Sequence, residues 1–487
     1  MKSMDVDVAI IGAGTAGLSA YKAAVKAATK AATKTSPQAS PQPSPQPGTD
    51  PAVVMIEGGP YGTTCARVGC MPSKLLIAAA EAAHTAGHMD AFGVHVDGEV
   101  RVNGKEVMDR VKRERDRFVG FVLDGVENIP AEHKLRGYAR FVAPGVLEVD
   151  DHTRINAKTV VIATGSSPSV PPPFKPLGDR LIINDDVFAW NDLPKRVVVF
   201  GPGVIGLELG QALARLGVTV RVFGKSGSLA GITDLTVRQA AKKIFQDEFY
   251  LDPDARVLET KRVGDEVEVR YVRLDNEECV ERFDYALVAT GRKPNLAELG
   301  LDNAGIEVDA QGIPPFNRET LQVGDLPVFI AGDVNNDVPL LHEAADEGHI
   351  AGMNAANFPD VKAGKRTIGL GIVFTDPQIA SVGLGPDKLE KGTFVTGELD
   401  FTGQGRSRVM LKNKGLMHIY ADIKTRRFVG AQMVGPACEH LAHLLAWSGE
   451  QGMTIDQMLV MPFYHPVIEE GLRTALRDTA AKLDWAS

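Results

Sequence analysis

Apolar positions near the start of the chain alternate and then run together. Residues 5–11 read DVDVAII, the pattern of a strand that becomes buried on both faces. Gly12, Gly14 and Gly17 follow at once, and the alanine-rich LSAYKAAVKAATKAATK then takes up helical spacing. Strand, glycine turn and helix are predicted in that order. The helical pattern fades near Lys34 into TSPQASPQPSPQPGTD, which has nothing to bury and predicts an extended, solvated excursion, the larger part of a low-complexity insertion at about 27–50. The next strand, AVVMIE, begins at Ala52 and ends in Glu57.

Helices are expected from about Pro72 to His88 and from about Lys105 to Asn128. Short strands follow around Arg140–Phe141, Val146–Val149 and Thr159–Ile162, the last closing on Ala163-Thr164-Gly165. A second strand–glycine–helix unit opens at Arg196 as RVVVFGPGVIGLELGQALARLG, with Gly201, Gly203 and Gly206 in the turn. Its second strand, VTVRVFG, ends at Gly224. A β-rich stretch from Ala255 to Val288 closes on Ala289-Thr290-Gly291, and FIAGDV leads into Asp333. The last third mixes strands with amphipathic helices. The pattern predicts an α/β fold with two Rossmann-like units and a C-terminal α+β region.

Composition narrows the function. Over 487 residues, 53 Lys and Arg stand against 62 Asp and Glu, giving a net charge of −9. That sign argues against a nucleic-acid binder, which needs surplus cations to displace counterions. Apolar runs of about 20 residues are lacking, so no membrane span is expected. The opening MKSMDVDVAIIGAG does not read as a signal peptide, and a cytoplasmic location is expected. Four cysteines in so long a chain do not make a disulfide scaffold.

Each glycine turn has the context of a dinucleotide site. The first glycine turns tightly, the second admits a pyrophosphate, and the third lets helix and strand pack closely. Glu57 ends the strand where a carboxylate binds ribose hydroxyls, although the insertion places it 40 residues after Gly17. At the second site the matching residue is Gly224, followed by Lys225. No carboxylate repels a 2′-phosphate there, so NAD and NADP both stay open.

The segment TCARVGCMPSK holds Cys65 and Cys70. Residues five apart in a helix are separated by a rise of about 7.5 Å, whereas a disulfide needs Cα atoms within about 6.8 Å. A bridge between them therefore requires a distorted turn, which Gly69 permits and Pro72 favours by extending the chain before it. So small a ring would be reducible, and Arg67 and Lys74 would favour thiolate. Inert cysteines or half of a metal site are the alternatives. A zinc site would want more ligands at compact spacing, and His84 and His88 have no second cysteine pair beside them. No metal is expected.

These motifs in this order, with ATGRKPN, AGDV and the tail MPFYHPVIEEG, resemble the FAD-dependent pyridine nucleotide–disulfide oxidoreductases. Within that family the chain is most similar to the dihydrolipoamide dehydrogenases. The resemblance implies FAD held by Gly12, Gly14, Gly17, Glu57, Thr164, Gly165, Asp333 and Leu341. It implies NAD or NADP at Gly201, Gly203, Gly206 and Gly291, with Lys74 near the flavin ring and Glu208 close to the flavin–nicotinamide contact. Cys65 would be the thiol that meets substrate and Cys70 the thiol against the flavin. His465, oriented by Glu470, would be the acid–base, reaching Cys65 from the partner subunit of a homodimer.

The implied domains are FAD-binding (1–185), NAD(P)-binding (186–285), central (286–360) and dimerising (361–487). The implied substrate is a small dithiol or disulfide, or a lipoyl group on a carrier domain, with a 2-oxo-acid dehydrogenase complex as a possible assembly. Three departures stand out: the insertion, Gly224, and Phe463 with Tyr464 ahead of His465. An NADPH-driven reductase of a small disulfide or metal ion is the nearest alternative, and a scaffold that docks through the Pro/Gln tract is another.

Overall fold

The computed structural model describes residues 1–35 and 52–486. Most of the expected insertion at about 27–50 lies outside the described residues. Two compact units are assembled from alternating stretches of chain. Residues 1–71, 113–168 and 292–366 form the first, and 72–112, 169–291 and 367–487 the second.

In the first unit, Lys2–Ile11 lies in the middle of a parallel sheet, with Ile11 facing Ile56 on one side and Ile162 on the other. Its exposure alternates at first and then vanishes over the last four residues, which are covered on both faces. Ile10, Val54 and Val161 are fully shielded, and each such side chain contributes about 1.5–3 kcal/mol by leaving water. The strand expected at Thr159–Ile162 begins earlier and spans Thr153–Ile162. Its first half pairs antiparallel with Val146–Val149, while its end runs parallel to Val328–Ile330. This double duty makes a half-exposed strand at one end and a buried one at the other.

The second unit repeats the plan. Five parallel strands lie in the order Tyr250–Asp252, Thr219–Phe223, Arg196–Phe200, Tyr285–Val288, Leu181–Ile182. Arg256–Val263, Glu266–Val272 and Glu278–Phe283 add an antiparallel meander. The C-terminal part is a five-stranded antiparallel sheet whose apolar face packs with residues of the helices Cys438–Glu450 and Glu470–Ala486. Two Rossmann-like units and an α+β region are thus what the chain forms. Among the described residues, no helix is long and apolar enough to cross a membrane.

One boundary differs from expectation. The helix expected from Pro72 begins at Cys70 and runs to Ala86. Pro72 is its third residue, where a missing N–H costs no helical hydrogen bond. The chain before Pro72 is therefore helical rather than extended, and the break sits at Gly69. From Pro72 on, this helix belongs to the second unit, where Leu76 and Ala80 join a core with Val197, Val199 and Leu209.

Candidate functional site

The first glycine turn is stitched between strand ends. The N–H of Gly12 donates to the Ile56 carbonyl, and that of Ala163 to the Ile11 carbonyl, both at 2.8 Å. Gly12 has φ +108°, and a Cβ there would strike the Ala163 carbonyl, as one at Gly17 would strike the Gly12 carbonyl. Gly14 is different: nothing lies within 4 Å of where its Cβ would stand. Tight first and third positions with space over the second are what a pyrophosphate needs to reach a helix N-terminus. The helix concerned is Thr15–Thr35, and its first turn carries no acidic residue to oppose the anion. Glu57 completes the cradle. Its Oε2 accepts the Ala13 N–H and its Oε1 the Gly59 N–H, both at 2.7 Å, holding a carboxylate at the strand end. These residues fit a dinucleotide such as FAD.

The same unit holds the rest of the expected flavin residues. The Thr164 hydroxyl donates to the Asn295 carbonyl at 2.7 Å, and the Asn295 amide returns a bond to the Thr164 carbonyl at 2.9 Å. Gly165 beside it has φ +66°. Asp333 accepts the Ser166 hydroxyl at 2.9 Å, with Arg292 at 4.0 Å. Leu341 opens a 17-residue helix, so its backbone N–H is one of those a helix leaves unpaired.

Cys65 lies in the short helix Thr64–Val68, and Cys70 heads the next. Gly69 separates them, and a Cβ on Gly69 would come within 3.1 Å of the Cys65 Cα. The chain therefore folds back onto Cys65 at the glycine where a bridge between the cysteines would need a distorted turn. Cys70 sits at a helix N-terminus, whose dipole favours thiolate. Cys438, by contrast, is buried, and burial alone pushes its thiol up; Cys279 is half-buried on the meander. Among the described residues, no group of three or more metal-ligating side chains converges.

In the second unit, the second turn repeats the first. Gly201 donates to Phe223 and Ala289 to Phe200, again at 2.8 Å. Gly203 is open like Gly14, and Gly206 is packed against the Gly201 carbonyl like Gly17. Gly291, with φ +120°, is also open. Lys74 meets Glu208 at 2.8 Å, and Glu208 is nearly fully buried. The other Glu208 oxygen accepts the Phe374 N–H at 2.9 Å, while the Lys74 ammonium stands 4.6 Å from the Phe374 ring centre. Lys74 and Glu208, 134 positions apart, are thus a bonded pair.

His465 and Glu470 also meet. The imidazole Nδ1 lies 2.9 and 3.0 Å from the two Glu470 oxygens. A carboxylate only accepts, so Nδ1 carries the proton and Nε2 is left as the base. The His465 bond, helped by the Val467 N–H, draws the Glu470 carboxyl below its usual range. His465 and Tyr464 are exposed, whereas Phe463 packs beneath the Arg473 guanidinium at 5.7 Å.

Two networks escaped the sequence reading. In the first unit, buried Glu347 accepts the Gly332 N–H and the Asn335 amide at 2.7 Å, bracing the loop that carries Asp333. Arg366 answers Glu347 at 2.7 Å and Glu343 at 2.9 Å. In the second, Asp234 accepts from His418 and from Tyr420, each at 2.7 Å, and Glu398 takes the other nitrogen of His418 at 3.0 Å.

Known proteins match this chain along most of its length. Residues 6–348 match the family model for pyridine nucleotide-disulphide oxidoreductases, and 370–476 match that family's dimerisation domain. "Dihydrolipoyl dehydrogenase 2" of Haloarcula marismortui is 30% identical over 438 residues, covering 86% of this chain and 90% of its own. "Dihydrolipoyl dehydrogenase 3" of Pseudomonas aeruginosa is 28% identical over 450 residues, covering 88% and 92%. Among solved structures, LpdA from Mycobacterium tuberculosis superposes with a TM-score of 0.78 at 22% identity, over 97% of this chain and 99% of that one. The HOCl-induced flavoprotein disulfide reductase RclA from Escherichia coli gives 0.76 at 22% identity, over the same shares. At such identity, these two establish the fold alone.

Proposed function

The chain belongs to the pyridine nucleotide–disulfide oxidoreductase family, enzymes that use FAD and a nicotinamide nucleotide, and we propose that it oxidises a dithiol of the dihydrolipoyl type. The break at Gly69, which turns the chain back onto Cys65 and leaves Cys70 at a helix head, is the observation that carries this reading.

The resting pair is a Cys65–Cys70 disulfide. The substrate's first thiolate bonds to the Cys65 sulfur, the bond between the cysteines breaks, and Cys70 leaves as thiolate. The second substrate thiolate then attacks the first sulfur, closes the product disulfide and releases Cys65. His465 takes the substrate proton at Nε2 while Glu470 holds Nδ1, a division of labour worth about 10²–10⁴-fold in rate. Two electrons now reside on the cysteine pair. FAD, when bound, supplies the junction through which they reach NAD(P)+. Lys74 and Glu208 hold a fixed, nearly neutral pair in the second unit; Asp333 would hold the flavin's ribityl chain and Glu57 the adenosine ribose hydroxyls.

A homodimer with His465 serving the partner's Cys65 fits the dimerisation domain at 370–476. Trp447, Val460 and Tyr464 on that part of the chain are exposed apolar surface of the kind a partner covers. The finer division into segments 1–185, 186–285, 286–360 and 361–487, a lipoyl group on a carrier domain as substrate, a 2-oxo-acid dehydrogenase complex as setting and a cytoplasmic location belong to this same reading. An NADPH-driven disulfide reductase is the second reading, favoured by Gly224 and Lys225.

Steady-state assays separate the two. Dihydrolipoamide with NAD(P)+ should turn over at least tenfold faster than oxidised glutathione with NADPH, an about 1.4 kcal/mol preference. The reverse order would overturn the first reading. Subunits carrying His465→Ala and Cys65→Ser, inactive alone, should regain activity when mixed.

A further inference from the structure

The two glycine turns share their backbone bonds but not their strand-end chemistry. In the first, the Glu57 carboxylate is clipped to the Ala13 N–H. In the second, Pro202 takes the place of Ala13 and has no N–H to give. Gly224 takes the place of Glu57, with its own N–H bonded to the Asp252 carbonyl at 2.7 Å. A Cβ at 224 would stand 2.6 Å from the Pro202 ring and 2.5 Å from the Pro253 carbonyl. Both ends of the clip are gone together, and the packing admits no side chain in its place.

Beyond Gly224 the chain enters a tight turn. Ser226 has φ +62° and its N–H donates to Asp254 at 2.9 Å; the Gly227 N–H donates to the Pro253 carbonyl at 3.1 Å. Those donors are spent inside the protein. Lys225 is exposed, and its ammonium makes no hydrogen bond or ion pair among the described residues. Asp254 is the carboxylate that faces the same turn, and it is engaged by the Ser226 N–H.

We infer that the second nucleotide site selects the 2′-phosphate: the chain binds NADPH more tightly than NADH, with Lys225 as the residue that recognises the phosphate. A carboxylate at the strand end would accept the 2′-hydroxyl and repel a phosphate. Here that repulsion is built out sterically, and an uncommitted cation stands next to the vacated position. The inference rests on family membership and not on which dithiol is oxidised.

Equilibrium binding of NADPH, NADH, 2′,5′-ADP and 5′-AMP to the FAD-loaded protein, fully reduced beforehand so that no hydride acceptor remains, tests it without turnover. NADPH should bind about five- to tenfold more tightly than NADH, the range expected of one charge-assisted phosphate contact. Lys225→Ala should erase that margin through NADPH alone, Lys225→Glu should invert it, and Lys225→Arg should restore it. Asp254→Asn, which removes the opposing charge, should widen it. Tighter binding of NADH, or a Lys225→Ala loss shared equally by both nucleotides, would overturn the inference while leaving the dithiol reading intact. Failure of every one of these ligands to bind would overturn the nucleotide site itself.

Discussion

At Glu57 the first turn carries a carboxylate held by two backbone N–H groups, and at the matching point the second turn carries Gly224 against Pro202. The glycines around them are interchangeable: tight, open, tight in both. A phosphate cradle is therefore a property of the backbone, repeated wherever strand, turn and helix meet in this way. Which sugar and which charge sit beside it is decided one strand-end residue away. The same scaffold can hold one nucleotide as a resident and exchange another.

The largest effects should come from breaking the shared part. Gly17→Val and Gly206→Val each force a side chain into a carbonyl, and backbone that cannot yield makes this costlier than ordinary overpacking of about 1–3 kcal/mol. The first should purify without flavin. The second should keep its flavin yet lose nicotinamide binding by at least about 100-fold, read by fluorescence titration. Flavin loss in both would erase the distinction between the turns.

Next comes the part that differs. Glu57→Ala leaves two N–H groups without their acceptor and removes a partner for ribose hydroxyls, costing about 1–3 kcal/mol. FAD affinity should fall about tenfold or more on dialysis against known FAD concentrations, with NADPH affinity unmoved. Lys74→Ala acts on the other half. It strands the buried Glu208 carboxylate, and such broken pairs cost about 3–5 kcal/mol, so the second unit should unfold at lower denaturant.

The smallest effect is a pH dependence confined to one half. The buried carboxylates of the first unit answer to Arg366, which stays protonated at any pH the fold survives. In the second unit the buried Asp234 carboxylate answers instead to His418. Burial pulls the His418 pKa down, but Asp234 and Glu398 more than reverse it, and the net shift is upward from 6.5. Burial likewise raises the Asp234 carboxyl, but His418, Tyr420 and the Val237 N–H outweigh it and hold it at about 2. The histidine's contribution is complete below its ordinary pKa and is lost as pH rises through the raised one. The aspartate's is present above its ordinary 3.8 and is lost as pH falls toward 2. Hydrogen exchange from pH 6 to 9 should therefore show the second unit loosening while the first holds. His418→Gln should flatten that trend, and equal loosening of both units would contradict it.

Much of the fold was legible in the chain. Strand, turn and helix at 5–35 and 196–215 announced themselves through period and glycine spacing, and the Cys65–Cys70 distortion followed from helix geometry. The pairings that fix the site did not. Asp234 and His418 are 184 positions apart, and Arg366 meets carboxylates on another element. Such contacts arise from the path of the chain in space and leave no local period. Pro72 misled in a different way, because a proline within the first turn of a helix and one that blocks a helix look alike in sequence.

Thiol counting tests the central claim most directly. The oxidised, FAD-loaded protein should show neither Cys65 nor Cys70 to a denaturing alkylation assay read by mass spectrometry. One equivalent of NAD(P)H delivered without oxygen, bringing two electrons and a proton, should expose both. If both are alkylated before the nucleotide is added, or neither after it, the cysteine pair is not the relay.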